Sequence, residues 1–445
     1  MDGRPESINQ LVDHLFRHEV GRLVSRLVRV FGAHRFDLAE DAVQFAMMQA
    51  LRLWAFKGIP DVPQAWLMRV ARNRVLDVLK SERKLHLFAD EADVWADAGV
   101  LEPRTTAVDD LDRSAGEMVD DRLSLIFACC HPALPRSASI ALTLKVVCGF
   151  GVEEIARAFL STGVAVAQRL VRAKRLIRER GIRFEVPSPE HVSERLDVVL
   201  EVLYLFFTEG YAATTGDRLI KDDLCAEAIW LATLLAGHAV TAQPQCHALL
   251  ALMLFQAARL PARTDAAGDL LLLADQDRGL WDRSMIDRGL RHLGRAARGD
   301  TLTVYHLQAE IAAIHATTEQ FTTTNWEQIL SLYDLLRERQ PTLVVLINRA
   351  VAVAQVHGPA AGLDALKMIP AEGQLARYPF LHLAEGEFHR RLGHPNEAAL
   401  CFLRALDFAG TEPERRFIRR KLATVQTGSV EGQPLAVDFG PRPPS

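Results

Sequence analysis

Along most of this chain apolar residues recur every three or four positions, which is the spacing of one buried helix face. Over residues 8–31 the recurrence runs through Leu11, Leu15, Val20, Leu23, Leu27 and Val30 and predicts one or two amphipathic helices. The stretch FGAH at 31–34 breaks it, and Asp37 is placed to cap a second helix, LAEDAVQFAMMQALRLW. The turn GIPDVP at 58–63 ends that segment. A third helix follows in PQAWLMRVARNRVLDVLKSERK, with Trp66, Leu67, Val70, Ala71, Val75, Leu76 and Leu79 on its apolar face. Residues 1–84 therefore form one small helical domain. The period fades over 85–117, where acidic residues, proline and threonine collect, so this stretch is expected to be a linker.

The period returns over 118–183 as a second helical domain. It breaks at FEVPSPEHVS (184–193), then continues in helices near 194–209, 222–237, 242–259, 284–296, 301–316, 326–338 and 342–356. Gly358 and Gly393 stand in equivalent turns 35 residues apart, which matches a tetratricopeptide-type repeat. Gly386, Ala398, Phe402 and Ala405 fall where the paired helices of such a repeat must pack closely. Residues 194–426 are thus read as a large helical C-terminal domain and 427–445, rich in glycine and proline, as a loose tail. The expected fold class is all-α.

Charge changes this picture. The chain is slightly acidic overall, with a formal charge of -4 over 445 residues. Residues 69–84 nevertheless carry six basic side chains against two acidic ones, and residues 168–180 carry six against one. Residues 90–121 between them carry eleven acidic against two basic. Two basic patches joined by an acidic tether fit two contacts with nucleic acid and a connector that avoids it. The six cysteines are sparse and lie in apolar helix, as in a reduced cytoplasmic protein. No signal peptide and no membrane span is expected. Cys129, Cys130 and His131 lack a second ligand pair at metal spacing, so no metal or other cofactor is expected.

The segment 142–177 carries the first chemistry. GFGV at 149–152 opens a short helix with Glu153 and Glu154 in its first turn, where carboxylates suit the positive helix end. Ser161 or Thr162 caps the next helix, and Gly163 relieves the turn. Val164, Val166, Leu170 and Val171 are read as packing residues. Gln168, Arg169, Arg172, Lys174 and Arg175 are left to meet phosphates or base edges in a major groove. This is the pattern of a helix-turn-helix; a plain helical hairpin with a basic end is the alternative.

Preceded by the first domain, the segment gains a context. DLAEDAVQFAMMQALRLW and PQAWLMRVARNRVLDVLKSERK resemble region 2 of bacterial RNA polymerase sigma factors of the extracytoplasmic-function group, and 118–183 resembles their region 4. The resemblance implies that Asp37, Glu40, Asp41 and Gln44 meet the clamp of core RNA polymerase. It implies that Arg69, Arg72, Asn73, Asp77, Arg83 and Lys84 meet the melted −10 element of promoter DNA. It assigns the helix of Gln168, Arg169, Arg172, Lys174 and Arg175 to the −35 element. The loop Lys57 to Pro63 is implied in base capture. Phe45 stands where the family has an acidic residue, and Gly163, Val164 and Ala165 replace a more polar start to the recognition helix.

The long C-terminal part resembles the subgroup of these sigma factors with a fused tetratricopeptide-like domain, on CCHPALPR (129–136), ALTLKVVCGF (141–150), VLYLFFTEGYAATTGD (202–217), DLCAEAIWLATLL (223–235), DQDRGLWD (275–282) and NRAVAVAQVHGPAAGL (348–363). Its polar islands, with Glu209, Tyr211, Asp222, Asp275, Asp277, Arg278, Trp281 and Asp282, are read as charged groups that knit loops onto a helical scaffold. The expected function is a promoter-specificity subunit without catalytic activity of its own. The C-terminal domain would control it, either by holding regions 2 and 4 inactive or by assisting them, through a protein or peptide partner. A stand-alone helix-turn-helix regulator with a helical sensor domain is the alternative, and an enzyme in residues 194–440 a third.

Overall fold

The computed structural model describes residues 8–89, 115–158, 161–211, 222–265, 268–369, 378–410 and 412–426. Most of the expected acidic linker, the expected tail, and the side chains of Arg83 and Lys84 lie outside the described residues. Among those described, the chain is helical with no strand beyond a single bridge between Thr264 and Leu270. It divides into two compact units, residues 1–202 and 203–445.

The first unit opens with one continuous helix, α1 (Ile8–Phe31), then a 3₁₀ turn and α2 (Phe36–Lys57). After the exposed turn at Gly58, α3 (Pro63–Ala89) runs five residues past the expected helix end. The next helices are α4 (Ala115–Cys129), α5 (Arg136–Val146), α6 (Val152–Ala158) and α7 (Gly163–Arg180). Each buries one stripe, as the period requires: Leu23, Val24 and Leu27 on α1, Ala42, Val43 and Ala46 on α2, Leu67, Ala71 and Val75 on α3. These helices do not form two separate bodies. Gly21 of α1 meets the backbone of Val147 at the end of α5 so closely that a Cβ there would lie 2.5 Å from the Val147 carbonyl oxygen. The two stretches read as regions 2 and 4 are packed on one another within this unit.

Helix α8 (Pro189–Tyr211) leads out of the first unit. The second contains α9 (Asp222–Gly237), α10 (Pro244–Ala257), α11 (Arg283–Ala296), α12 (Val304–Thr317), α13 (Trp326–Arg339), α14 (Leu343–His357), α15 (Pro359–Lys367), α16 (Pro379–Arg391), α17 (Pro395–Phe408) and α18 (Glu412–Gln426). Gly358 (φ 90°) and Gly393 (φ 75°) turn the chain between α14 and α15 and between α16 and α17. Ala398, Phe402 and Ala405 of α17 are fully buried, and the Phe402 ring fills the space that Gly386 leaves on α16. The polar island DQDRGLWD is a staple between elements. Asp277 caps a 3₁₀ turn through Gly279 N–H at 2.8 Å, and Asp282 caps α11 through Met285 N–H at 3.0 Å. Arg278 donates to the His315 carbonyl at 2.7 Å and lies over the Trp281 ring at 4.6 Å. Burial lowers the pKa of its guanidinium to about 10. Tyr211 is fully buried, with the Arg263 guanidinium 3.8 Å from its ring centre.

Candidate polymerase and nucleic-acid interface

On α3, Arg69, Asn73, Asp77 and Lys80 are exposed at i, i+4, i+8 and i+11, so they lie on one face with half-buried Arg72 beside them. Asp77 makes no ion pair with Arg74 or Lys80 among the described residues. Arg74 points elsewhere, its guanidinium 5.0 Å from the centre of the Phe45 ring on α2. Phe45 thus holds by its ring face the cation that a carboxylate would hold by charge. Trp66 is half-buried and packs edge-on against Trp54 at 5.4 Å, as part of the α2–α3 contact. Phe56, just before the turn, is 90% exposed, and Ile59 and Val62 follow it into solvent. Sequence reading pointed to the loop but not to Phe56; an aromatic residue in the last turn before Gly58, off the buried stripe, was the available signal.

Helices α6 and α7 follow one another where a helix-turn-helix is expected. Thr162 caps α7 by accepting from Ala165 N–H at 3.2 Å, and Glu154 accepts from Gly151 N–H at 2.7 Å at the start of α6. Val166, Leu170, Ala173 and Ile177 are buried at i, i+4, i+7 and i+11. A Cβ at Gly163 would lie 2.1 Å from Glu153 Oε1, so the glycine leaves room for that carboxylate in the turn. Two expectations change. Val164 and Val171 do not pack inward but are 70% and 66% exposed, on the face that also presents Gln168, Arg172 and Arg175. Arg175 is held along that face by Glu179 at 2.6 Å. An exposed pair of valines among polar groups suits contact with thymine methyls.

Lys174 sits on another side of α7 and turns to α2. Its ammonium pairs with Glu40 and lies 3.8 Å from Asp37, while Arg178 reaches Asp37 at 3.4 Å. The Phe36 and Phe184 rings meet beside them at 5.6 Å. Glu40 is buried, and Gln44 donates to it at 3.3 Å. Asp41 alone of the four expected polymerase residues is exposed. Burial of its carboxyl, and next the charge of Glu40, raise its pKa above the ordinary value. The structure therefore places Lys174, Asp37 and Glu40 together, with one expected DNA residue facing two expected polymerase residues. Arg169 is half-buried, away from this contact.

The adjacent thiols of Cys129 and Cys130 are fully buried; burial pushes both pKa values up, that of Cys130 to about 12. Such thiols stay protonated and do not act as nucleophiles. No group of three or more metal-ligating side chains is found among the described residues. No described helix is long and apolar enough to cross a membrane.

A basic polar stripe on one helix and a pair of short-linked helices ending in cations are features that helical DNA-binding proteins share. Comparison with known proteins gives the family. The model of Sigma-70 region 2 matches residues 15–85, and a family of unknown function (DUF6596) matches residues 195–297. Over 397 residues the chain is 40% identical to an uncharacterized protein of Rhizobium meliloti (strain 1021), covering 89% of this chain and 91% of that one. No solved structure matches the chain. The chain belongs to the family of that Rhizobium protein and is a sigma-70-family sigma factor with a fused C-terminal helical region. Its region 2 implies a role in transcription initiation, with core RNA polymerase and promoter DNA.

Proposed function

We propose that the chain is a promoter-specificity subunit of the extracytoplasmic-function group, acting in the cytoplasm without catalysing a reaction itself. Region 2 captures the melted −10 strand with Arg69, Arg72, Asn73 and Asp77, and with Arg83 and Lys84 further along α3. Region 4 reads the −35 element with Gln168, Arg169, Arg172, Lys174 and Arg175. Asp37, Glu40, Asp41 and Gln44 meet the polymerase clamp. The C-terminal unit, tetratricopeptide-like in its α14–α17 pairs, controls the activity.

The observation that carries this reading is the exposed stripe on α3 together with the exposed apolar residues Phe56, Ile59 and Val62 that precede it in the chain. Melting a duplex exposes unpaired bases, and their capture needs cations for phosphates and an apolar surface for stacking. Asn73 supplies the donor and acceptor pair that a base edge requires. The pairing of Lys174 with Glu40 and Asp37 supports a second statement. In the free chain, part of the DNA set and part of the polymerase set occupy one another, and assembly with core polymerase must part them.

Reconstituted transcription from a library of random promoter fragments tests the whole reading. With core polymerase the full chain should select fragments sharing two short elements, and Asn73→Ala should lose the downstream one. Transcription indistinguishable from that of core polymerase alone overturns it. A symmetric operator bound tightly without core polymerase would establish the stand-alone regulator instead.

A further inference from the structure

Two helices of the C-terminal unit are rich in arginine, and the fold treats them differently. On α18 the cations are tied down. Arg415 donates to the Ala409 carbonyl at 2.8 Å, Arg416 pairs with Asp269, and Arg419 pairs with Glu412 at 2.9 Å. Arg420 pairs with Asp265 at 3.2 Å, and Lys421 lies 3.9 Å from Glu387. These charges anchor a helix within its own unit.

On α11, half-buried Arg288 and exposed Arg291 and Arg295 stand at i, i+3 and i+7 on one face, and exposed Arg298 follows in the turn after the helix. None of the four side chains forms an ion pair or hydrogen bond among the described residues, although Asp287 is exposed next to them. Like charges at these spacings repel and weaken a helix. The helix dipole favours cations only near the last turn, which accounts for Arg295 but not for Arg288 or Arg291. The helix beneath them is firmly seated: a Cβ at Gly289 would lie 2.7 Å from the Phe255 ring of α10. At the edge of the stripe, His292 and His247 face one another with their Nδ1 atoms 3.1 Å apart. Burial lowers the pKa of His292, and after it His247 and the fields of Arg295, Arg288 and Arg291 do the same. The cations thus add to one positive potential at a fixed surface.

We propose that this face of α11 docks on the phosphate backbone of duplex DNA. A guanidinium fork matches a phosphate, and the row spans about 15 Å, along which each strand of a duplex offers a charge every ~3.4 Å. An acidic protein partner would call for an apolar anchor among the cations. Besides His292, the positions that flank the stripe are Ser284, Asp287 and Gly294, and exposed Leu290 lies well round the helix from it. In choosing duplex DNA the proposal rests on the sigma-factor reading. It assigns a contact to a segment that lies largely within the matched family of unknown function.

The test uses the full chain and a fluorescent duplex of about 30 base pairs with random sequence, titrated between about 50 and about 200 mM salt. The triple variant Arg291→Gln, Arg295→Gln, Arg298→Gln should bind more weakly, its plot of log affinity against log salt shallower by about 3. A thermal melt matching the parent protein shows that the variant is folded. Binding unchanged in affinity and slope overturns the proposal, as does the absence of duplex binding by the parent at low salt. A polyglutamate peptide that binds the parent but not the variant, while duplex binding stays the same, overturns it in favour of an acidic protein partner. Failure of promoter selection in the transcription assay would sink the sigma-factor reading and leave this duplex measurement standing.

Discussion

Lys174 shows how far a residue's role depends on the side of the helix it occupies. It stands in a run of cations, but it is on the flank of α7 that meets Glu40 and Asp37. Glu40 is buried, so leaving it without its partner is costly. Lys174→Ala should destabilise the first unit by about 1–3 kcal/mol, less than for a fully buried pair because Lys174 retains some solvent. Glu40→Gln in the same chain should recover part of that loss, and a double-mutant cycle by chemical denaturation measures the coupling. Additive losses would show that the pair contributes nothing. The His292–His247 pair gives a second residue-scale prediction. The folded pKa of His292 is lowered to about 4 from 6.5, chiefly by burial. Below 6.5 the unfolded chain binds more protons than the folded one, so stability is complete above that value and falls as the pH drops toward 4. Thermal unfolding across this range should show the fall, and His292→Gln should flatten it. An identical slope in parent and variant would refute the assignment.

At the scale of elements, the helices were legible because burial imposes their period. The spans read at 284–296, 326–338 and 342–356 correspond to α11, α13 and α14 within a residue or two. The stripe of α3 was legible for the same reason: Arg69, Asn73 and Asp77 share a face once the buried one is fixed by Leu67, Ala71 and Val75. The contacts between elements were not. Nothing in the period of α7 says that Val164 and Val171 face water, because its apolar residues fall on two adjacent stripes, and the choice is made by α5 and α6. Phe56 was not legible because an exposed aromatic residue looks like any other apolar residue in sequence. It carries a prediction of its own. Fully exposed, Phe56→Ala should change stability by no more than about 0.5 kcal/mol. If the ring stacks on a captured base, promoter opening should weaken by about 1–3 kcal/mol, roughly five- to 150-fold. Permanganate footprinting of the −10 strand separates the two, and unaltered opening with Phe56→Ala would remove the turn from the base-capture surface.

At the scale of the whole molecule, chain order does not reveal where the units divide. The prolines at 184–193 have the composition of a linker, yet α8 starts at Pro189 and its first half belongs to the first unit. Val192, Leu196, Val199 and Leu200 are buried there, and Glu201 pairs with Arg136 of α5. Burying four such side chains is worth roughly 6–12 kcal/mol by area, comparable to the stability of a whole domain. A fragment of residues 1–185 should therefore melt without a sharp transition, whereas 1–202 should melt cooperatively; differential scanning calorimetry of both decides it. Equal transitions would mean that the first half of α8 is dispensable and that the proline segment is a true boundary. The fragment 1–202 keeps α3 and the helix-turn-helix but lacks the arginine row of α11. Its duplex binding should therefore respond to salt as the triple arginine variant does, and a slope as steep as that of the full chain would show that the C-terminal unit contributes no phosphate contact.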